Sequence, residues 1–266
     1  MTRLKKFFFN LYFLPFFVLI TALALVLVPL LRLINALVLK RPEDSAFRRG
    51  IRLYGFLLSR LVAVFLPIRV EDKSGGLPDT AIFVANHTSA VDPYCFGLLG
   101  HESAFLTSWP FTIPVFKWVM KKAGYLDARK GWETLSRKGA DLLARGCSLI
   151  IWPEGHRSRD GRLAPFRNGA FRLACETGYP IVPVCIIGAG QMLPPGSRLL
   201  TPVPLKMILL PPCRPQVPGG ELERKTVVAM KKKVFRQLQS ELDYQQRFGH
   251  DVQENRNRHR VAQSGT

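Results

Sequence analysis

Acidic residues, histidines and paired cysteines are all scarce in this chain of 266 residues. The 19 Asp and Glu are outnumbered by 38 Lys and Arg, which leaves a formal net charge of +19. The five cysteines are widely spaced, and no CxxC pair is present that would hold zinc or form a redox disulfide. We therefore expect buried reduced thiols in a cytosolic globular part, and no metal site.

The excess of positive charge predicts an anionic partner, which is nucleic acid, anionic lipid or an acidic substrate. The aromatic residues are concentrated in apolar runs and are not interleaved with Lys and Arg as they are on a base-stacking surface. Nucleic acid is therefore not expected, and membrane lipids and a phosphate-bearing substrate remain.

An apolar run from residue 7 to residue 39 is long enough to span a bilayer. It continues past a weak cleavage-like sequence, so we expect it to be retained and not removed as a signal peptide. Pro15 and Pro29 would kink a continuous helix, so a re-entrant hairpin in one leaflet is the alternative to a span. Residues 47–65 form a second helix candidate with interleaved basic and apolar residues, which suits either a membrane interface or ordinary packing.

After Pro67 the sequence changes to six short β-branched and apolar runs separated by helical stretches, at residues 68–70, 81–85, 104–107, 148–152, 181–187 and 205–210. This alternation predicts an α/β fold with a mixed sheet flanked by helices, following an N-terminal membrane-embedded helical segment. We expect membrane-embedded or interfacial helices at 1–66, the α/β domain at 67–244 and a disordered polar tail at 245–266.

The run at 81–85 leads into His87, and Asp92 follows five residues later. Ligands gather at the carboxyl ends of strands in open α/β sheets. Residues five apart in a helix point about 140° away from each other, so the two side chains can pair only if His87 lies in the loop before the helix. Pro93 supports that geometry, because proline is favoured at the start of a helix. A pair would make His87 a general base, and the alternative is a plain strand end followed by a helix cap.

A second segment runs from residues 148–152 into Glu154, Gly155, His156 and Arg157. Arginine can hold a phosphate bidentately, and glycine lets the backbone approach a ligand, so the segment suits an anion site. A solvated basic loop is the alternative that composition leaves open.

The segments NHTSAVD and WPEGHRS resemble the first and third sequence blocks of the 1-acylglycerol-3-phosphate acyltransferase family, NHxxxxD and [FV]PEG[TS]RS. Residues 109–129 resemble the second block and residues 181–184 the fourth, in the order of the family. The resemblance implies that His87 is the general base and Asp92 its orienting partner. It also implies that the lysolipid acceptor contacts Glu154, Gly155, Arg157 and Arg129. His156 stands where the family usually has Thr or Ser, and it is either a hydrogen-bond donor to the bound phosphate, which we favour, or an incidental exposed histidine.

The resemblance implies transfer of a fatty acyl group from acyl-CoA or acyl-carrier protein to the sn-2 hydroxyl of 1-acylglycerol-3-phosphate, giving phosphatidic acid. Neither a cofactor nor a covalent acyl-enzyme is expected, and backbone N–H groups near His87 would bind the oxyanion. Residues 106–109 and His156 depart from the family pattern near the head-group site, so another lysophospholipid or an amino-acid lysolipid is an alternative acceptor. A non-catalytic basic membrane-surface binding protein is the alternative from another class. We expect the catalytic domain on the cytosolic face of a membrane.

Overall fold

The computed structural model describes residues 3–215 and 224–263. The N-terminal apolar run forms helix α1 (Arg3–Val26), helix α2 (Val28–Ile34) and a π-helical turn at Asn35–Leu39. Pro15 lies within α1, whereas Pro29 stands in the first turn of α2, where its missing N–H costs nothing. By length and composition, α1 can cross a membrane.

Helix α3 (Glu43–Ala63) connects the apolar helices to the rest of the molecule. The Thr21 hydroxyl on α1 lies 2.7 Å from that of Tyr54 on α3. Toward the domain, the buried Arg48 guanidinium lies within 2.9 Å of Asp44 Oδ2 and of Glu102 Oε1, and it donates to the Ala123 carbonyl at 2.9 Å. The position of α3 against the domain therefore depends on a buried, fully paired charge.

The sheet contains seven strands, and its mixed topology confirms the predicted fold class. The strands are β1 (Ile68–Asp72), β2 (Ile82–Ala85), β3 (Ser103–Thr107), β4 (Leu126–Asp127), β5 (Ser148–Ile151), β6 (Ile181–Ile187) and β7 (Leu205–Leu209). Their order is β1-β7-β6-β2-β5-β3-β4; β6 and β7 are antiparallel, and the other neighbouring pairs are parallel. The two-residue strand β4 was not predicted, because its apolar run is too short to signal a strand.

The remaining helices are α4 (Asp92–Cys95), α5 (Pro114–Lys122), α6 (Trp132–Ala144), α7 (Gly169–Thr177), α8 (Ala189–Met192) and α9 (Arg224–Gln263). Successive β2 side chains point to opposite faces of the sheet. Ile82 and Val84 pack in one apolar cluster with α6, α7 and α9, whereas Phe83 and Ala85 pack in another with α1 and α3. All five cysteines are free and buried, as predicted.

Helix α9 continues to Gln263 and so includes most of the segment predicted as a disordered polar tail. The structure therefore has helix where the sequence predicted a disordered tail. Residues 245–263 contain no proline, and their four Gln and four Arg are good helix formers.

Candidate active site

Strand pairing brings two separated loops together at one edge of the sheet. β2 and β5 are parallel neighbours, with Val84 opposite Ile151, so the loops that follow them leave the sheet side by side. The first loop carries His87, and the second carries Glu154. The chain itself joins these loops as well, because the Ser158 N–H donates to the His87 carbonyl oxygen at 2.7 Å.

His87 and Asp92 form a hydrogen bond of 2.8 Å between Nδ1 and Oδ2. His87 precedes α4, and Asp92 is the first residue of that helix, so the separation of five residues brings the side chains together. The same oxygen of Asp92 accepts the N–H groups of Thr88 and Ser89, each at 2.8 Å. The Asp92 side chain is fully buried, whereas that of His87 is 19% exposed, so a buried carboxylate holds an imidazole that a substrate can reach.

Two further contacts fasten the His87 loop to the opposite side, near β6. The Asn86 amide donates to the Ile186 carbonyl oxygen at 2.9 Å and accepts the Ile186 N–H at 2.7 Å. The Ser89 hydroxyl donates to the Leu193 carbonyl oxygen at 2.9 Å. The loop is therefore held before any ligand arrives.

Trp152 is a site residue that the sequence analysis did not identify. Its ring stacks on the His87 imidazole, with 4.8 Å between centroids and 29° between planes. On β3, Phe105 also stacks on Trp152, with centroids 5.6 Å apart and the planes within 8°. The position of Trp152 directly after β5 was the available sequence signal. A single sequence does not show which neighbour an aromatic ring will face.

Glu154 is predicted to contact the acceptor, and the structure buries its side chain. Its Oε1 accepts the His87 N–H at 2.8 Å, and its Oε2 accepts the Ala164 N–H at 2.9 Å. The residue is 2% exposed. Burial raises the pKa of the Glu154 carboxyl, and the two amide groups oppose part of that rise. The enclosed side chain is thus hydrogen-bonded to the backbone at both His87 and Ala164.

The residues after Glu154 turn outward. Gly155 has a φ of +77°, and a Cβ added there would lie 2.8 Å from the Cζ atom of Arg167. Gly155, His156 and Arg157 are exposed. In the described part of the chain, Arg157 makes no ion pair, so its guanidinium is available to an anion. Arg167, 12 residues beyond Gly155, belongs to the same arginine-rich segment that the sequence marks as a candidate anion site.

Arg129 is not brought together with His87. Its guanidinium makes a bidentate pair with Asp127, with distances of 2.9 and 2.7 Å, and this pair lowers the pKa of the Asp127 carboxyl. β4 lies three strands from β2, which is about 14 Å at the usual strand spacing. Arg129 also lines a cavity of about 470 Å³ between α5 and α6, whose lining includes none of the other predicted site residues.

Backbone N–H groups near His87 are expected as oxyanion donors, and three of them already have acceptors within the protein. The N–H of His87 donates to Glu154, and those of Thr88 and Ser89 donate to Asp92. These three groups are therefore unavailable to a developing oxyanion, because each already serves to hold the loop.

Known proteins are similar to the central part of this chain, which contains both loops of the site. A family model described as Acyltransferase matches residues 68–187. A chloroplastic 1-acyl-sn-glycerol-3-phosphate acyltransferase of Brassica napus is 39% identical over 123 residues, covering 44% of this chain and 36% of that protein. One from Arabidopsis thaliana is 38% identical over 143 residues, covering 50% of this chain and 40% of that protein. The chain thus spans well under two thirds of these relatives.

Two other similarities extend the comparison. A lyso-ornithine lipid O-acyltransferase of Pseudomonas aeruginosa is 31% identical over 142 residues, covering 51% of this chain and 53% of that protein. The crystal structure of a 1-acyl-sn-glycerophosphate acyltransferase from Thermotoga maritima aligns with a TM-score of 0.72 at 22% identity, over 92% of this chain and 98% of that one. The structural similarity establishes the fold.

Proposed function

The chain belongs to the 1-acylglycerol-3-phosphate acyltransferase family, and we propose that it transfers a fatty acyl group to the sn-2 hydroxyl of 1-acylglycerol-3-phosphate. The donor is acyl-CoA or acyl-carrier protein, and the product is phosphatidic acid. The observation that carries the proposal is the 2.8 Å hydrogen bond between His87 and the buried carboxylate of Asp92.

In the proposed mechanism, His87 is the general base. Asp92 accepts the proton on Nδ1, which leaves Nε2 free to take the proton from the acceptor hydroxyl. The hydroxyl oxygen then attacks the thioester carbonyl carbon, and the C–S bond breaks as the tetrahedral intermediate collapses. The proton held by His87 passes to the leaving thiolate, so an ester and a free thiol are formed, and no acyl group is attached to the protein.

The exposed loop after Glu154 is the proposed binding site for the acceptor phosphate. Arg157 offers a planar guanidinium that can hold phosphate oxygens bidentately, and His156 is exposed beside it. Gly155 has a φ of +77°, which is unfavourable for residues with a side chain, and its lack of a Cβ leaves the backbone accessible to a ligand. Arg129 is proposed as a secondary phosphate contact, which would first have to leave Asp127.

We propose that the catalytic domain lies on the cytosolic face of a membrane. Helix α1 is long and apolar enough to enter a membrane, and the net charge of +19 favours an anionic leaflet. An acceptor with one acyl chain can then reach His87 from the leaflet while its phosphate stays at the Arg157 loop.

The test is an assay of the purified, detergent-solubilised full chain with labelled 1-acylglycerol-3-phosphate and either acyl-CoA or acyl-carrier protein. We expect labelled phosphatidic acid from the native chain and, in His87→Ala, a rate lower by about a hundred- to ten-thousand-fold. Asp160→Asn is the control, because Asp160 is exposed in the same loop region and does not contact His87. A native rate in His87→Ala would refute the proposed base.

A second candidate function is acylation of an amino-acid lysolipid, which the Pseudomonas aeruginosa relative favours by its name. His156 replaces the usual Thr or Ser of the block, so the head-group site differs chemically from the family pattern. Competition between 1-acylglycerol-3-phosphate and lyso-ornithine lipid in one assay separates the two acceptors. Failure with every lysolipid would favour the alternative of a non-catalytic basic membrane-binding protein.

A further inference from the structure

A short segment at the outer edge of the sheet exposes large apolar side chains to solvent. It consists of the 3₁₀ turn Trp109–Thr112 and helix α5. Trp109 is 66% exposed, Val115 51% and Trp118 42%. We call these three side chains the α5 face. Single exposed apolar residues are ordinary, but two tryptophans and a valine exposed within ten residues, two of them one helical turn apart on α5, are unusual for a surface that faces only water.

The α5 face lies beside the N-terminal apolar helices. Glu43, at the start of α3, pairs with Arg32 of α2 at 2.9 Å and with Lys122 of α5 at 3.0 Å. Trp118 precedes Lys122 by one helical turn and packs edge-on against Phe47 of α3, with 5.6 Å between ring centroids. The last turn of α5 is therefore attached to the junction where the apolar helices join the domain.

The residues of this segment are of the types that prefer the headgroup region of a membrane. Tryptophan prefers the headgroup region, where its ring is buried and its N–H stays wet. Lys117 and Lys121 on α5 are exposed, and in the described ranges neither makes an ion pair. Lysines beside interfacial tryptophans are attracted to anionic lipid. The charged junction of Arg32 and Glu43 belongs at the same level, because it cannot enter the hydrocarbon.

We propose that the α5 face is a second membrane contact, seated among the headgroups of an anionic leaflet next to the apolar helices. One contact would leave the domain free to tilt about the N-terminal helices. A second contact, made by the domain itself beside those helices, limits that tilt and so restricts the height of the carboxyl-end loops above the leaflet. The proposal concerns membrane docking alone and does not depend on the acyltransferase reaction.

The test uses the four tryptophans as depth probes. Full-length variants keep one tryptophan each, Trp109, Trp118 or Trp132, with the other three replaced by Phe, and are reconstituted in phosphatidylglycerol and phosphatidylcholine vesicles carrying brominated acyl chains. Trp132 is the control, because it lies on α6 with its ring under the Arg172 guanidinium at 4.7 Å. We expect bromine to quench Trp109 and Trp118 at least about twice as strongly as Trp132.

Quenching of Trp109 and Trp118 that only equals that of Trp132 overturns the proposal. If acrylamide in the buffer also fails to quench them, a second protein copy covers the face, which overturns the proposal as well.

A second probe avoids the multiple tryptophan replacements. Val115→Cys can be spin-labelled selectively because the five native cysteines are buried. Its label should be more accessible to oxygen than to a water-soluble nickel complex, and the reverse should hold for Arg137→Cys, an exposed position of α6 outside the cavity between α5 and α6.

Discussion

The backbone N–H of His87 donates a 2.8 Å hydrogen bond to Oε1 of Glu154, a residue 67 positions later in the chain. This bond connects the loop after β2 to the loop after β5, and the other carboxylate oxygen continues the connection to Ala164. This buried side chain therefore helps to set the relative position of the proposed base and the proposed phosphate loop, together with the Ser158 N–H that donates to the His87 carbonyl oxygen. Its chemistry also makes a pH prediction possible.

Glu154→Gln tests the buried carboxyl. Burial raises its pKa in the folded state, so the folded protein holds this proton to a higher pH than the unfolded chain does. The contribution of Glu154 to stability is therefore greatest below its unfolded pKa and falls as the pH rises through the folded pKa. We expect the free energy of unfolding of the native chain to fall relative to that of Glu154→Gln as the pH increases from about 4. Urea denaturation in detergent, repeated at several pH values, measures the free energy of unfolding of the native chain and of the variant.

Asp160→Asn is the matched control for this titration. The pKa of the Asp160 carboxyl is lowered by the N–H of Arg162 and the hydroxyl of Ser158, so its contribution is present at neutral pH and is lost as the pH falls. The difference between native chain and variant should therefore change with pH in the opposite direction. A pH-independent difference for Glu154→Gln would contradict the assignment.

Asp92→Asn tests the partner of the proposed base. Asparagine keeps the shape but removes the charge that accepts Nδ1–H, so the imidazole loses its fixed tautomer. We expect kcat to fall by about a hundred- to ten-thousand-fold with little change in KM. Because Asp92 also accepts two backbone amides, the unfolding midpoint must be measured beside the rate. A folded variant with native kcat would remove Asp92 from the mechanism.

Trp152→Leu tests whether stacking orients the imidazole. Phe at this position keeps a ring against His87, whereas Leu removes it. Aromatic pairs contribute about 0.5–1.5 kcal/mol, so we expect kcat to fall by roughly 2- to 10-fold in Trp152→Leu and less in Trp152→Phe. Steady-state kinetics of both variants make the comparison. Equal losses in the two would show that the ring is only filling space.

Arg157→Ala and Arg129→Ala compare the two proposed phosphate contacts. Arg157 is exposed without an ion pair among the described residues, whereas Arg129 is already held by Asp127. A hydrogen bond to a charged group contributes about 1.5–3 kcal/mol, so Arg157→Ala should raise the KM for the lysolipid by roughly ten- to a hundredfold. A smaller change is expected for Arg129→Ala. The reverse ranking would place the acceptor phosphate near β4.

Arg48→Met tests the attachment of α3. The substitution leaves the Ala123 carbonyl without its buried donor, while Asp44 and Glu102 keep Arg145 and Arg49, so we expect the unfolding free energy to fall by about 1–3 kcal/mol. The neighbouring Arg49 also pairs with Glu102 but is largely exposed, and Arg49→Ala should cost no more than about 1 kcal/mol. Urea denaturation compares both with the native chain. Equal costs would mean that burial of the pair adds nothing.

Local patterns in the sequence were enough to predict the mixed α/β fold and six of its seven strands. An apolar or alternating run must bury its side chains wherever it lies, so its type follows from its own residues. The same holds for α1, whose length and apolarity are local properties. The strand β4 and the continuation of α9 were missed because two residues carry too little signal and because a polar composition is compatible with a helix.

The side-chain contacts of the site were decided by tertiary structure. The spacing of His87 and Asp92 allowed a pair, but the turn before α4 is what brings their side chains to 2.8 Å. Glu154 reaches the His87 N–H because β5 lies beside β2, and Arg129 is remote from His87 because β4 lies at the far edge. Sequence spacing contains no distance between strands that are remote in the chain. Such distances follow from the order in which the strands pair, which depends on the packing of the whole sheet.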